Sequence, residues 1–162
     1  MSKFLLPTVC FLLLVVPAAY AGKEEDAANY SKVLQGNDPV AAKVEAANGI
    51  AKLAAIRRSY GKEAVPYLFE ACKHKEAKLR AAAAAALGRA YADDDKNAVE
   101  VLEELVKSDT DDSVKLAAIT GLVAQGMRAK GAIPTLRKIA QENDKSRVGR
   151  AAREAVRTLS AR

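Results

Sequence analysis

Apolar residues recur along most of the chain at intervals of three and four positions. In one segment Val65, Leu68, Ala71 and Cys72 occupy positions i, i+3, i+6 and i+7, the spacing that defines one face of an amphipathic helix. The sequence shows no alternation of apolar and polar residues with a period of two, which is the pattern of a half-buried strand. The pattern therefore predicts an all-α protein.

The helical pattern itself repeats every 34 residues. The segments that begin at Ala64, Ala98 and Ala132 each start with Ala, continue with Val or Ile, and carry Leu at the fifth position. Pro66 and Pro134 fall in the first turn of their helices, where a missing backbone N–H costs little. A second apolar segment, rich in small residues, precedes each of these helices. The sequence thus predicts a series of helix–turn–helix units.

These units resemble HEAT repeats, in particular the short HEAT-like repeats of phycobilisome lyase subunits. The similarity rests on the Ala-(Val/Ile)-Pro-x-Leu helix and on the Leu-Gly ending of the helix before it, and it covers about residues 38–159. It implies a right-handed α-solenoid of about three full repeats, with a half-repeat cap at each side. Because HEAT arrays mostly serve as binding surfaces, the resemblance also implies a protein partner and a protein that is not an enzyme.

The first 21 residues have the pattern of a secretory signal peptide. Residues 1–3 supply a positive charge, residues 4–16 are almost wholly apolar, and residues 19–21 have the small-x-small spacing of a cleavage site. The apolar stretch is shorter than the roughly 20 residues that a membrane-spanning helix needs. We expect cleavage after Ala21, and export to the periplasm or the extracellular space without an integral membrane segment.

The mature chain is then expected to have two parts. Residues 22–37 are predicted to form an N-terminal cap helix, and residues 38–162 the HEAT-like repeat domain. The mature chain keeps Cys72 as its single cysteine, so an intrachain disulfide is excluded.

Charge is segregated along the chain, whose formal net charge is +6. Residues 93–112 hold nine acidic and two basic side chains, whereas residues 128–162 hold ten basic and three acidic ones. One interpretation is self-assembly, in which the acidic middle of one molecule meets the basic part of another. The scarcity of aromatic residues, 5% of the chain, argues against a nucleic-acid partner, since single-stranded bases stack on aromatic rings.

The second helix of each unit carries surface residues opposite its buried face, which we call the charged ladder. The resemblance to HEAT repeats places this ladder on the concave face, where partners bind. Alternatively, the ladder residues of neighbouring units only form exposed ion pairs, each contributing about 0–1 kcal/mol. Phe69 either anchors a partner or is covered by the cap helix. The ladder comprises Phe69, Glu70, Lys73, Glu103, Glu104, Lys107, Arg137 and Lys138.

The last predicted helix carries four arginines on one side, which we call the arginine stripe. These are Arg147, Arg150, Arg153 and Arg157. One interpretation is the solvated outer face of a capping helix. The other is contact with an anionic envelope surface or polymer, such as lipid head groups or polysaccharide.

Side chains with catalytic or metal-binding chemistry are few. One His and two Cys exclude a zinc site built from these residues, and we expect no metal, no cofactor and no catalytic residue. Cys72 aligns with Val106 and Ala140, which predicts a buried core residue, and His74 is predicted to lie in an exposed turn. Residues 109–112 lack the Gly and the distal Glu of a calcium loop, so they predict a helix N-cap.

Overall fold

The computed structural model describes residues 18–90 and 95–161. Within this part of the chain there are eight α-helices and no strand, which confirms the predicted all-α class. The helices are α1 (Ala18–Gln35), α2 (Val40–Ile56), α3 (Val65–Ala71), α4 (Ala77–Arg89), α5 (Asp95–Ser108), α6 (Asp112–Gln125), α7 (Ile133–Glu142) and α8 (Arg147–Ser160). The positive start and the apolar run of the predicted signal peptide lie outside the described residues. Among the helices that are described, none is long and apolar enough to cross a bilayer.

The helices form two layers. Helices α2, α4, α6 and α8 pack side by side in the first layer, and α1, α3, α5 and α7 each pack against the even-numbered helix that follows. An array of stacked helix pairs has this arrangement, because each pair buries its apolar face against its neighbours. The predicted all-α solenoid is therefore confirmed.

Small residues allow the first layer to pack closely. Ala83, Ala84 and Ala86 of α4 are fully buried. Where α4 crosses α6, Gly88 lies so close to Gly121 that a Cβ atom on Gly88 would overlap the Gly121 backbone. Larger side chains fill the core between the layers, among them Leu68, Leu87, Leu102, Leu122, Leu136 and Leu159.

Two 3-10 helical segments lead into α3 and α7, and the sequence analysis did not anticipate them. They span Arg58–Ala64 and Gly126–Ala132, at equivalent positions two units apart. Pro66 and Pro134 follow in the first turns of α3 and α7, as predicted. A proline cannot lie deeper in a helix, because its ring clashes with the carbonyl four residues earlier. The α-helix therefore cannot extend back through the 3-10 segment.

The middle unit has Glu100 at the position of these prolines. Nothing there prevents the helix from extending backwards, and α5 already begins at Asp95. The polar residues 95–97 therefore belong to the first turn of the helix.

Arg58 connects three successive units. Its Nη2 donates to Gln125 Oε1 at 2.8 Å and to the carbonyl of Ala90 at 3.4 Å. Gln125, itself 4% exposed, donates from Nε2 to the carbonyl of Leu87 at 3.2 Å. These bonds supply donors to carbonyls at the C-terminal end of α4, where no further helical turn offers a backbone N–H. Arg58, which follows α2, is thereby tied to the end of α6 across the end of α4.

Candidate functional site: two grooves along the second layer

The first part of the charged ladder lies along an open space between α3 and α5, which we call the α3/α5 furrow. These two helices make few direct contacts with each other. The space between them forms two adjoining grooves of about 430 and 500 Å³, and both are lined by Lys73, Val101 and Glu104. Phe69 and Glu100 line the first groove. Of the ladder residues in the first two units, Phe69, Glu70, Lys73 and Glu104 line the furrow, and Glu103 and Lys107 do not.

The side chains at the rim of the furrow are mostly exposed. Glu70 and Lys73 form an ion pair at 2.9 Å, with 74% and 68% of their side chains exposed. Glu100 and Glu104 are exposed, and within the described part of the chain neither makes an ion pair. Phe69 is half-buried and packs against the core while lining the groove with α5.

Glu103 is held inside the array. It lies 2.8 Å from Lys107 Nζ on the same helix, and Thr135 Oγ1 of the next unit donates to it at 2.5 Å. Burial alone would raise the pKa of Glu103, but the hydrogen bonds from Lys107 and Thr135 lower it below its ordinary value. Glu103 therefore stays ionised and joins α5 to α7.

The ladder does not pair its charges between units as one interpretation expected. Lys138 lies 3.8 Å from Glu142 on its own helix, and in the described residues Arg137 makes no ion pair. The spacing of three or four residues places such partners side by side on one helix, nearer than any partner on the next. The interpretation that Glu103 and Glu104 pair with Arg137 and Lys138 is therefore wrong.

An arginine–aspartate pair closes the floor of the furrow, and we call it the Arg80–Asp109 clamp. Arg80 donates from Nε and Nη2 to the two carboxylate oxygens of Asp109, at 2.7 and 2.9 Å. Its Nη1 donates to the carbonyls of His74 and Lys75 at 2.8 and 2.9 Å. The Asp109 side chain is only 4% exposed, and the hydrogen bond from Arg80 lowers its pKa below the ordinary value. The clamp thus fixes the loop before α4 and the loop before α6 to each other.

The acidic residues next to the clamp begin a helix, as predicted. Asp111 Oδ1 accepts from the backbone N–H groups of Ser113 at 2.8 Å and Val114 at 3.4 Å, which is the geometry of an N-cap. In the part of the chain that the structure describes, no cluster of three or more His, Cys, Asp or Glu side chains could hold a metal ion.

Cys72 is 3% exposed, which confirms the prediction of a buried core residue. Burial raises the pKa of its thiol to about 12, so the thiolate needed for nucleophilic chemistry does not form near neutral pH. His74 lies in the turn after α3 as predicted, but it is half-buried, and its Nδ1 accepts a hydrogen bond from the backbone N–H of Glu76 at 3.0 Å.

The structure divides the arginine stripe into different roles. Arg153 binds Asp144 at 2.5 Å and the carbonyls of Ala140 and Asp144, and thus holds the loop between α7 and α8. Arg150 donates to the carbonyl of Lys145 at 3.2 Å in the same loop. Arg157 lies 3.6 Å from Glu154 on α8, and Arg147 is exposed.

Two predicted sets of residues meet in one place. Arg137 of the charged ladder lines a single groove together with Arg153 and Arg157 of the arginine stripe. The sequence analysis assigned them to separate surfaces. No spacing along the chain signals this meeting, because it depends on how α7 packs against α8.

The comparison with protein families agrees with the two-layer array. The family model described as HEAT repeats matches residues 31–123, which is more than half of the chain. No curated protein matches the chain. HEAT repeats commonly mediate protein–protein interactions. On this match and on its stacked helix pairs, the chain belongs to the HEAT-repeat family.

Proposed function

We propose that this protein is a non-catalytic interaction scaffold that acts outside the cytoplasm and holds a partner protein in the α3/α5 furrow. The observation that carries the proposal is the furrow itself, a concave space bordered by the predicted ladder residues. Binding sites on proteins are typically concave and combine an apolar floor with a few polar groups. Phe69 and Val101 supply the apolar part here, and both are half-buried.

The charge of the furrow indicates the chemistry of the partner. Glu70 and Lys73 neutralise each other, Glu100 and Glu104 place two negative charges along α5, and Lys75 adds one positive charge at the other end of the furrow. A partner segment with basic side chains and an apolar anchor would match this surface. Such complementarity sets mainly the specificity and the association rate.

The first test is affinity capture with residues 22–162 as bait, from an extracellular or envelope extract, with washes at low and high salt. We expect one protein to be retained near stoichiometry. The double variant Glu100→Arg, Glu104→Arg should lose it, because the furrow would then repel a basic segment.

The matched control is Glu45→Arg, which reverses an exposed charge on α2 in the other layer. This variant should retain the partner. Equal loss in the control and in the furrow variant, or retention by both, would contradict binding in the furrow.

The proposed location outside the cytoplasm rests on residues 1–21. Cell fractionation with intact-mass measurement tests it directly, and we expect a mature chain that begins at Gly22. A full-length chain found only in the cytoplasm would overturn this part of the proposal and leave the furrow unaffected.

Adsorption to an anionic surface is the second candidate, and the exposure of Arg147 and Arg150 favours it. It predicts salt-sensitive binding to anionic vesicles or polymers that is lost when all four stripe arginines become Gln.

Self-assembly has less support, because three carboxylates of the acidic middle already have partners within the chain. Asp109 belongs to the clamp, Asp111 caps a helix, and Glu103 binds Lys107 and Thr135.

A further inference from the structure

A second groove lies between α7 and α8, and it differs in charge from the α3/α5 furrow. Its volume is about 610 Å³. We call it the α7/α8 groove. It is lined by Arg137, Ala140, Gln141, Asp144, Arg153, Val156 and Arg157.

The α8 wall of this groove corresponds to a packing surface elsewhere in the array. With a shift of 69 residues α8 aligns with α4, so that the buried pair Leu79 and Ala83 matches the buried pair Val148 and Ala152. Three positions then change from buried in α4 to half-buried or exposed in α8. They are Ala84, Leu87 and Gly88 in α4, and Arg153, Val156 and Arg157 in α8.

These changes alter what can pack there. In α4 the Ala84 backbone and Gly88 lie against Gly121 of α6, and the approach at Gly88 leaves no room for even a Cβ atom. Arg157 at the same position excludes so close an approach by another helix. The α7/α8 groove is therefore not an uncovered copy of the α4–α6 contact but a surface of different chemistry.

The groove is positively charged and partly preorganised. Arg153 is fixed by its bonds to Asp144 and to two backbone carbonyls. Arg137 has no ion pair among the described residues, and Arg157 has only a contact of 3.6 Å with Glu154, where both side chains are more than two thirds exposed. Three guanidinium groups thus line the groove, with Asp144 as the one carboxylate in its lining.

Elsewhere in the array, a helix of this protein lies beside a surface equivalent to part of the α7/α8 groove. Two units earlier, Cys72 and Lys73 stand at the positions of Ala140 and Gln141, and there α5 of the next unit forms the opposite wall of the α3/α5 furrow. Helix α5 lines this furrow with the apolar residues Val101 and Leu105 and with Glu104. A helix with apolar residues on one side and a carboxylate beside them therefore lies next to a surface of this shape.

We propose that the α7/α8 groove binds an acidic amphipathic helix of a partner protein. Its apolar side would lie on Ala140 and Val156, and its carboxylates would bind Arg137 and Arg157. Guanidinium groups bind carboxylates through two parallel hydrogen bonds, which gives geometric specificity as well as attraction. A flat lipid surface cannot enter a concave groove between two helices. The proposal is independent of the α3/α5 furrow.

The test uses a fluorescein-labelled synthetic peptide with the sequence of residues 97–112, which contains most of α5 and its acidic loop. Fluorescence anisotropy should show saturable binding to residues 22–162. The double variant Arg137→Glu, Arg157→Glu should bind at least about tenfold more weakly, which corresponds to 1.4 kcal/mol or more. Both arginines are exposed, and circular dichroism verifies that the variant folds.

Two controls make the result specific. Arg147→Glu reverses an exposed charge on the same helix outside the groove and should change the affinity less than about twofold, as a mutation of one remote surface charge does. A peptide with all its carboxylates replaced by amides should not bind. In amide NMR spectra, the peptide should shift the resonances of Ala140 and Val156.

Four outcomes would overturn the proposal. They are the absence of binding up to about 1 mM peptide, an equal loss with Arg147→Glu, binding of phosphatidylglycerol vesicles or inorganic phosphate that displaces the peptide, and dimerisation of the protein alone that depends on Arg137. The last would identify a second copy of this chain as the occupant.

Discussion

The contact between α4 and α6 and the free side of α8 share one sequence register, yet they present opposite surfaces. In α4 the register holds Ala84, Leu87 and Gly88, which are all buried, and Gly88 lies against Gly121 of α6. In α8 it holds Arg153, Val156 and Arg157, which line an open groove. The same helix register can thus carry a packing surface or a charged one, while the buried alanines Ala83 and Ala86 recur as Ala152 and Ala155.

The two regions also differ in how far an arginine–aspartate ion pair is exposed to solvent. The Arg80–Asp109 clamp is largely buried, with 16% and 4% of the two side chains exposed, and it joins the loop before α4 to the loop before α6. The Arg153–Asp144 pair is 40% and 71% exposed and lies within one helix pair. The same type of ion pair should therefore contribute to stability in the first region and hardly at all in the second.

The largest expected effect comes from Gly88→Ala compared with Arg157→Ala. Alanine favours helices, but its Cβ at position 88 would overlap the Gly121 backbone, so we expect a loss of about 2–3 kcal/mol of unfolding free energy. At the equivalent exposed position in α8, Arg157→Ala should change stability by less than about 0.5 kcal/mol. Urea unfolding measures both. Similar values for the two variants would mean that α8 does not share the register of α4.

Arg80→Met should have the next largest effect. It removes the partner of Asp109 and leaves a buried carboxylate without its hydrogen bonds from the guanidinium group. We expect a loss of about 2 kcal/mol, between the values for surface and fully buried pairs. Calorimetry should show the corresponding drop in Tm. A Tm equal to that of the wild type would show that the clamp adds nothing to the array.

The contribution of the clamp should also depend on pH. The folded-state pKa of Asp109 lies below its ordinary value of 3.8, because Arg80 stabilises the carboxylate. A depressed pKa gives stability that is complete above the ordinary value and is lost as the pH falls through the folded pKa. The stability difference between wild type and Arg80→Met should therefore be constant well above pH 3.8 and narrow as the pH falls below 3.8. A difference that widens on acidification would contradict this assignment.

A smaller effect than that of Arg80→Met is expected for its counterpart, Arg153→Met. Because the Arg153–Asp144 pair is exposed, its loss should cost less than about 1 kcal/mol. The measurement is the same urea titration. A cost as large as that of Arg80→Met would remove the distinction between the two regions.

The sequence predicts the fold well, because burial repeats with the units. Leu68, Leu102 and Leu136 recur at one step, and all three are fully buried in the structure. The 3-10 segments escaped prediction, although Pro66 and Pro134 with Glu100 between them carried the signal. A proline sets the earliest position at which each α-helix can begin.

The candidate sites were predicted only in part. Phe69, Glu70, Lys73 and Glu104 do border one furrow, since they share one helix face or the equivalent face of the next unit. The α7/α8 groove was not predicted, because it joins Arg137 to residues on the opposite helix. Which faces meet across a pair of helices depends on packing, and helical periodicity does not contain that information.

The bonds of Arg58 bear on how the array opens. In most solenoids each unit touches only its neighbours, so that units can fray one at a time from an end. Here Arg58, which follows α2, donates a hydrogen bond to Gln125 at the end of α6, and Gln125 donates one to the carbonyl of Leu87 at the end of α4. The middle unit cannot detach without breaking these hydrogen bonds, so α2, α4 and α6 should open as one cooperative block. The amide hydrogens of α4 should then exchange with solvent no faster than the whole block unfolds.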